Sequence, residues 1–330
     1  MMLINRGGLM INTSLPCDNK NHLTTKTEHM IKKSNTGLFI KDIDRIDSAI
    51  WEIGRGIVGQ SWHVDVCIEG GLDENRFIYD FSDLKNLIKK TLKSTLDHVL
   101  LIPTNDPAIR LSENEHSFSI DDNLSDISYQ GPKKSVYFIK SKMVSEALIE
   151  SELNNILKPL LPSSVSDVRF KIHREINEGG HFFHYTHGIT GHKGNCQRLF
   201  HGHRSLIEVL VNSKQRSDLE KIISEKLLKS SIHIAERSQI SESTKDKLFL
   251  QYTANEGIFR CSIPKNQVVI IEEGTSIETL VEFFASNLEG LLVEGDTLEV
   301  RAYEGIGKGA IATRQRINEK DHPKCQSIQP

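Results

Sequence analysis

Laid over itself so that Gly59 meets Gly202, the chain places GQSWHVDVCI above GHRSLIEVLV, with Asp65 and Glu208 in register and apolar positions matched on both sides. One short match says little, but the order of elements around it repeats too. In the first half LFIKDIDRID and VGQSWHVDVCIEGG read as strands, the second with Trp62, Val64, Val66 and Ile68 on one face at period two. A helix follows over SDLKNLIKKTLKSTLDHVLL, where Leu84, Leu87, Ile88, Leu92 and Leu96 recur at helical spacing behind a Ser82 cap, and it ends near Asp97. KSVYFIK is then a strand, VSEALIESELNNILKPLL a helix stopped by Pro159 and Pro162, and VSDVRFKIHREI a strand. The second half runs the same way: HFFHYTHGI and HGHRSLIEVLVNS as strands, RSDLEKIISEKLLKSS as a helix, QVVIIEE as a strand, SIETLVEFFASNLEGLL as a helix, DTLEVRAYEG as the closing strand. A chain so built folds as two copies of one α+β unit.

The copies span 36–177 and 178–315, with the boundary near Glu178, Gly179 and Gly180; 1–35 is a polar, flexible leader and 316–330 a polar tail. Residues 103 to 133, rich in Asn, Asp, Ser and Pro, predict a surface excursion between elements. With 41 Lys+Arg against 44 Asp+Glu, the net charge of -3 generates no nucleic-acid-binding field, so an anionic ligand must meet a local patch. There is no apolar run of about 18 residues to cross a membrane, nor the apolar core of a secretory signal, so a cytoplasmic chain without a membrane partner is expected. Five cysteines, odd in number and without a C-x-x-C pair, favour a free thiol with its own chemistry over a disulfide framework.

Six of the fourteen histidines fall between 181 and 203. His201 and His203 are i, i+2 on a strand and project from one face, as two ligands of one tetrahedral zinc require. His187, on the neighbouring strand, can supply a third. Three histidines leave a fourth position open to water or substrate, the arrangement of a catalytic site. Histidines 181, 184 and 192 are not expected as ligands, since alternation turns His184 from the face of His187. Cys196, near Lys193 and Arg198, can act as a thiolate base or nucleophile. The alternative is a fourth ligand in a closed zinc site. The adjacent Asp97 and His98 could form an oriented acid/base imidazole, although neighbours in sequence often point apart.

The F-x-x-x-H of FHYTH, the C-x4-H-G-H of CQRLFHGH, DFSDLK, LDH at 96–98, TSIE at 275–278 and the strand-end Glu304 together resemble the 6-pyruvoyltetrahydropterin synthase/6-carboxytetrahydropterin synthase family, over about residues 37–312. The resemblance implies a tandem T-fold (tunnelling fold), each unit an antiparallel four-stranded sheet with two helices on one face. It implies zinc on His187, His201 and His203, proton transfer by Cys196, Asp97 and His98, and pterin anchoring by Glu304 with Thr275. The implied substrate is the small molecule 7,8-dihydroneopterin triphosphate; Lys193, Arg198 and Arg204 are near enough in sequence to meet the triphosphate, with a solvated basic loop as the other reading of each. The implied product is 6-carboxytetrahydropterin, on the queuosine route, with the 6-pyruvoyl product, or a non-catalytic zinc and pterin binder, as alternatives. Family sites lie between subunits of a homo-oligomer. Here the motifs are divided: the first repeat has Val58 and Gln60 where the second has His201 and His203, and the second lacks LDH. Complementary loss of this kind implies a composite site built from both repeats, one per chain or one per pair of chains.

Overall fold

The protein, seen in a computed structural model, is described over residues 36–229 and 231–316, so the leader and all but the first residue of the tail lie outside the described residues. Strand β1 (Thr36–Glu52) pairs antiparallel with β2 (Gly56–Gly70). On β2 the side chains of Trp62, Val64, Val66 and Ile68 are buried together, because alternate residues of a strand share a face. Helix α1 (Phe81–Thr95) lays Leu84, Ile88 and Leu92 on that face. Its N-cap is Asp80 and not Ser82: the Asp80 carboxylate accepts from the backbone of Ser82 (2.7 Å) and Asp83 (3.2 Å). The chain continues through β3 (Leu100–Pro103), β4 (Ile109–Glu113), β5 (Ser117–Asp122), β6 (Ile127–Pro132), β7 (Val136–Ile139), α2 (Glu146–Leu157) and β8 (Val165–His173). Ile149, Leu153 and Leu157 of α2 join the same core as α1.

The second repeat holds β9 (His181–His187), β10 (His201–Val211), β11 (Lys214–Gln215) and α3 (Ser217–Lys221), which runs into a π-helical segment, Ile222–Leu227. It continues through β12 (Ile232–Glu236), β13 (Ile240–Ser243), β14 (Lys247–Ala254), β15 (Gly257–Pro264), β16 (Val268–Ile271), α4 (Ile277–Leu288), β17 (Thr297–Tyr303) and β18 (Gly309–Gln315). The sheet orders are β7-β3-β1-β2-β8 and β16-β12-β9-β10-β17-β18, so the repeats match strand for strand up to the final hairpin. Each sheet is mixed and larger than the four antiparallel strands expected, because β3 and β12 lie parallel to β1 and β9, and β7 and β16 lie parallel to β3 and β12. β3 reaches β7 through β4, β5 and β6, and β12 reaches β16 through β13, β14 and β15, long connections of the kind that parallel pairing needs. β3 and β12 escaped the sequence reading because each is a four- or five-residue run attached to the end of a helical segment.

The expected surface excursion is ordered structure. β4, β5 and β6 of the first repeat and β13, β14 and β15 of the second form one antiparallel sheet, β13-β14-β15-β6-β5-β4, joined across the repeats by Arg260↔Gln130, Cys261↔Tyr129 and Ser262↔Ser128. Phe118, Tyr129 and Phe259 of this sheet bury against Leu100, Ile102 and Phe200. The two large sheets meet at the glycines that first revealed the duplication. A Cβ on Gly202 would lie 2.7 Å from Gly59 Cα and 2.8 Å from Thr186 Cγ2, so two main chains touch where no side chain fits. This contact sets the edge of β10, and with it His201 and His203, against the first repeat. No described helix is long and apolar enough to cross a membrane.

Candidate active site

β9 and β10 pair with His201 opposite His187 and His203 opposite Tyr185, which turns the three histidines inward together. All three are fully buried, with ring centroids 4.2 Å (His187 to His201), 5.4 Å (His187 to His203) and 5.3 Å (His201 to His203) apart. One ring nitrogen of each lies within 4.8 Å of those of the other two. Each Nδ1 faces an oxygen: Thr275 O at 2.7 Å from His187, Arg198 O at 3.0 Å from His201, and Asp47 Oδ1 at 3.4 Å from His203. The three Nε2 atoms are buried and have no protein partner. Burial, and then the neighbouring imidazoles, push His187 and His201 well below the usual histidine range, which keeps them neutral. Clustered buried imidazoles whose inner nitrogens are orphaned, with the outer nitrogens of His187 and His201 held by main-chain carbonyls, are a set that could hold a metal ion. The residues therefore fit the zinc ion that the sequence implied. His184 instead faces Gly59 O (2.7 Å), His181 faces Ser217 Oγ (2.7 Å), and His192 accepts from Gly194 N (3.0 Å).

The first repeat delivers Asp97 and His98 to this centre. Both lie just past α1, where His98 adopts φ +57° and donates its main-chain N–H to Asp47 O at 2.7 Å. Such a backbone is uncommon outside glycine and needs surroundings that hold it. Here it turns the imidazole so that Nδ1 lies 2.8 Å from Asp97 Oδ2 and the ring stacks 5.2 Å from that of His201. Burial lowers the His98 pKa, but hydrogen bonds to Asp97 and to Cys196 outweigh it and raise the value to about 10. Cys196 arrives from the second repeat, on a short 3-10 turn, Asn195–Gln197. Its sulfur groups with His98 and His201 within 4.8 Å, a set that shares His201 with the three-histidine set. The pair thus meets Cys196 of its own chain.

Two polar clasps fix that meeting. Asn195 Nδ2 donates to Lys93 O (3.0 Å), and Arg198 donates to His98 O (3.2 Å) while gripping Glu256 through two 2.9 Å bonds. Arg198 is 7% exposed and fully engaged, so it is not the phosphate ligand its position suggested. Arg204 is likewise committed, lying 3.6 Å over the Phe182 ring and donating to Glu175 O (3.0 Å). The accessible cations lie elsewhere. A cleft of about 610 Å³ opens beside Asp97, His98 and Cys196 and is lined by Arg45, Lys89 and Lys93. Lys89 and Lys93 lie on α1 away from the buried face that Leu84, Ile88 and Leu92 mark.

Glu304, at the end of β17, is mostly buried, and its carboxylate lies 3.3 Å from Lys308 Nζ. Thr275 is 1% exposed; its hydroxyl donates to Gly188 O (3.3 Å), and its carbonyl holds His187. Lys308 and Asp47 complete the centre and were missed. Burial opposes the charge on Asp47, but His203, His98 and Lys308 hold it well below the usual carboxylate range. The one sequence signal for Asp47 was its place on a strand face shared with the buried Ala49 and Trp51.

A family model described as 6-pyruvoyl tetrahydropterin synthase matches residues 55–132 and 177–315, together more than half of the chain and one segment in each repeat. No curated protein matches. Among solved structures, a catalytic-residue mutant of the Plasmodium vivax 6-pyruvoyltetrahydropterin synthase is similar at 21% identity, covering 43% of this chain and 92% of that one, with a TM-score of 0.36. The Plasmodium falciparum enzyme is similar at 18% identity, covering 42% and 91%, with a TM-score of 0.35. On the match of the family model to both repeats, the chain belongs to the 6-pyruvoyl tetrahydropterin synthase family.

Proposed function

We propose that the protein is a zinc-dependent lyase that converts 7,8-dihydroneopterin triphosphate to 6-carboxy-5,6,7,8-tetrahydropterin, the precursor of queuosine and other 7-deazaguanines, in the cytoplasm. The observation that carries this reading is the convergence of Asp97 and His98 of one repeat with Cys196 and three buried histidines of the other. Neither repeat holds the set alone. His187, His201 and His203 would bind zinc through Nε2, and the ion supplies Lewis-acid polarisation of the substrate's side-chain oxygens. Cys196 and His98 are the proton carriers of the site. Asp97 fixes the tautomer and orientation of His98, as a carboxylate does for an acid/base imidazole. Glu304 anchors the guanidine-like edge of the pterin by paired charge-assisted hydrogen bonds, and Thr275 steadies the metal side through His187. Arg45, Lys89 and Lys93 line the cleft that would receive the triphosphate, the local patch that a near-neutral chain needs.

The outer strands β8 and β18 each leave one side unpaired among the described residues, which suits edge-to-edge closure of a homo-oligomer. Product analysis tests the activity. Acetaldehyde with 6-carboxytetrahydropterin is the expected outcome. The 6-pyruvoyl product without carbon loss would assign the other branch of the family, and zinc binding without turnover would make the chain a pterin-binding module.

A further inference from the structure

Asp47 meets His203, Lys308, Asp97 and His98, although it belongs to the repeat that has none of the three clustered histidines. Its Oδ1 accepts from Ser61 Oγ at 2.5 Å and lies 3.4 Å from His203 Nδ1. Its Oδ2 lies 3.7 Å from Lys308 Nζ, whose other carboxylate neighbour is Glu304 at 3.3 Å. Its main chain holds the proton pair, the N–H donating to Asp97 Oδ1 (3.1 Å) and the carbonyl accepting from His98 N (2.7 Å). The residue is 5% exposed. Space for it exists only because the turn beyond β17 has a glycine there: Gly305 has φ +71°, and a Cβ on it would strike the carboxylate, 2.9 Å from Asp47 Cγ.

The three metal-facing histidines differ in what holds them from behind. His187 and His201 are held by main-chain carbonyls, and His203 alone faces a carboxylate. A carboxylate behind a ligating imidazole fixes its tautomer and makes it a stronger ligand. The register also shows why this carboxylate comes from the first repeat. Ser61, opposite Asp47 in the β1–β2 pairing, follows Gln60, the residue that stands where the second repeat has His203. β2 thus lacks a histidine at the counterpart of His203 and contributes the hydroxyl that steers Asp47 toward His203.

We propose that Asp47 is a positioning residue of the composite site: it orients His203 toward the metal and keeps Lys308 in place against Glu304. The first repeat thereby contributes to metal affinity without supplying a ligand. This inference rests on the zinc reading above. The test is zinc competition against a chromophoric chelator, with the full chain as wild type, Asp47→Asn and Ser61→Ala, together with KM and kcat for dihydroneopterin triphosphate. Asp47→Asn is expected to weaken zinc about 10- to 100-fold, the range for loss of such a partner, and to raise KM even at saturating zinc, because Lys308 loses its second carboxylate. Ser61→Ala removes only the steering hydroxyl and is expected to weaken zinc several-fold with the fold intact, so it serves as the test if Asp47→Asn does not fold. A wild type that binds zinc while both variants bind it equally well overturns the role of Asp47 and leaves the zinc reading standing. A wild type that binds no zinc overturns both.

Discussion

Asp97→Asn is the sharpest probe of the proton pair, because the amide keeps the shape and an acceptor oxygen for Asp47 N while removing the charge beside His98. Opposite charges 2.8 Å apart attract by about 6 kcal/mol at an effective dielectric of about 20, before burial takes its share. The rise of His98 from 6.5 to about 10, against the lowering effect of burial, corresponds to about 5 kcal/mol favouring the imidazolium. The neutral amide removes the leading favourable contribution and leaves burial in place, so His98 should titrate at least 2 pH units lower (about 3 kcal/mol). The assay is NMR of ¹³C-labelled histidine Cε1, with His98 assigned by its loss in a His98→Asn variant. Stability follows with a defined sign. A group whose folded value is raised stabilises fully below its unfolded value, about pH 6.5, and loses that contribution as pH climbs through about 10. Wild type should therefore melt above the variant at and below pH 6.5, and the two should converge beyond pH 10. kcat should fall about 10²- to 10⁴-fold, the usual weight of an oriented acid/base group. A His98 resonance that titrates at the same pH in both proteins would refute the reasoning.

Gly202→Ala places a methyl into the contact with Gly59 and Thr186 and should cost about 1–3 kcal/mol, read as a lower melting temperature, with no lost hydrogen bond to account for it. Cys196→Ala should retain zinc by metal analysis and lose turnover, since His187, His201 and His203 remain to hold the ion and the sulfur groups with only one of them, His201; release of zinc would make the thiol a ligand. Arg198→Ala should destabilise by about 3–5 kcal/mol in denaturant titration, because it strands Glu256 and frees the backbone of His98.

How far the sequence could be read followed from periodicity. β2 and α1 carry long alternating or helical patterns, so their buried faces were named residue by residue and are found buried, Leu87 only partly. β3 and β12 are too short to show a period, and the six strands of the shared sheet are short, with polar outward faces that read as loop. At the site, histidine density and the HGH spacing pointed to three side chains that meet, since i, i+2 on a strand is a local relation. Asp47, Lys308 and the Arg198–Glu256 clasp depend on how the repeats dock, which no local pattern encodes.

The division of labour between the repeats has an energetic logic. The Nε2 atoms of His187, His201 and His203 are buried without a hydrogen-bond partner, and each such group costs about 1–3 kcal/mol. The β1–β2 pair Ile50↔Val58 occupies the place that His187↔His201 holds in β9–β10, and both residues are buried in apolar surroundings. The first repeat thus has packed side chains where the second has two orphaned imidazoles, a difference that favours the stability of the chain that carries both copies. In a chain that folds as two copies, only one needs to carry the strained, polar half of the chemistry. The other is free to specialise in what the centre lacks, and here it supplies the carboxylates Asp47 and Asp97 and the His98 imidazole, which approach from outside the sheet that holds the three histidines. Restoring histidines at Val58 and Gln60 would therefore not rebuild a second centre, because the second repeat has no Asp-His pair to offer in return.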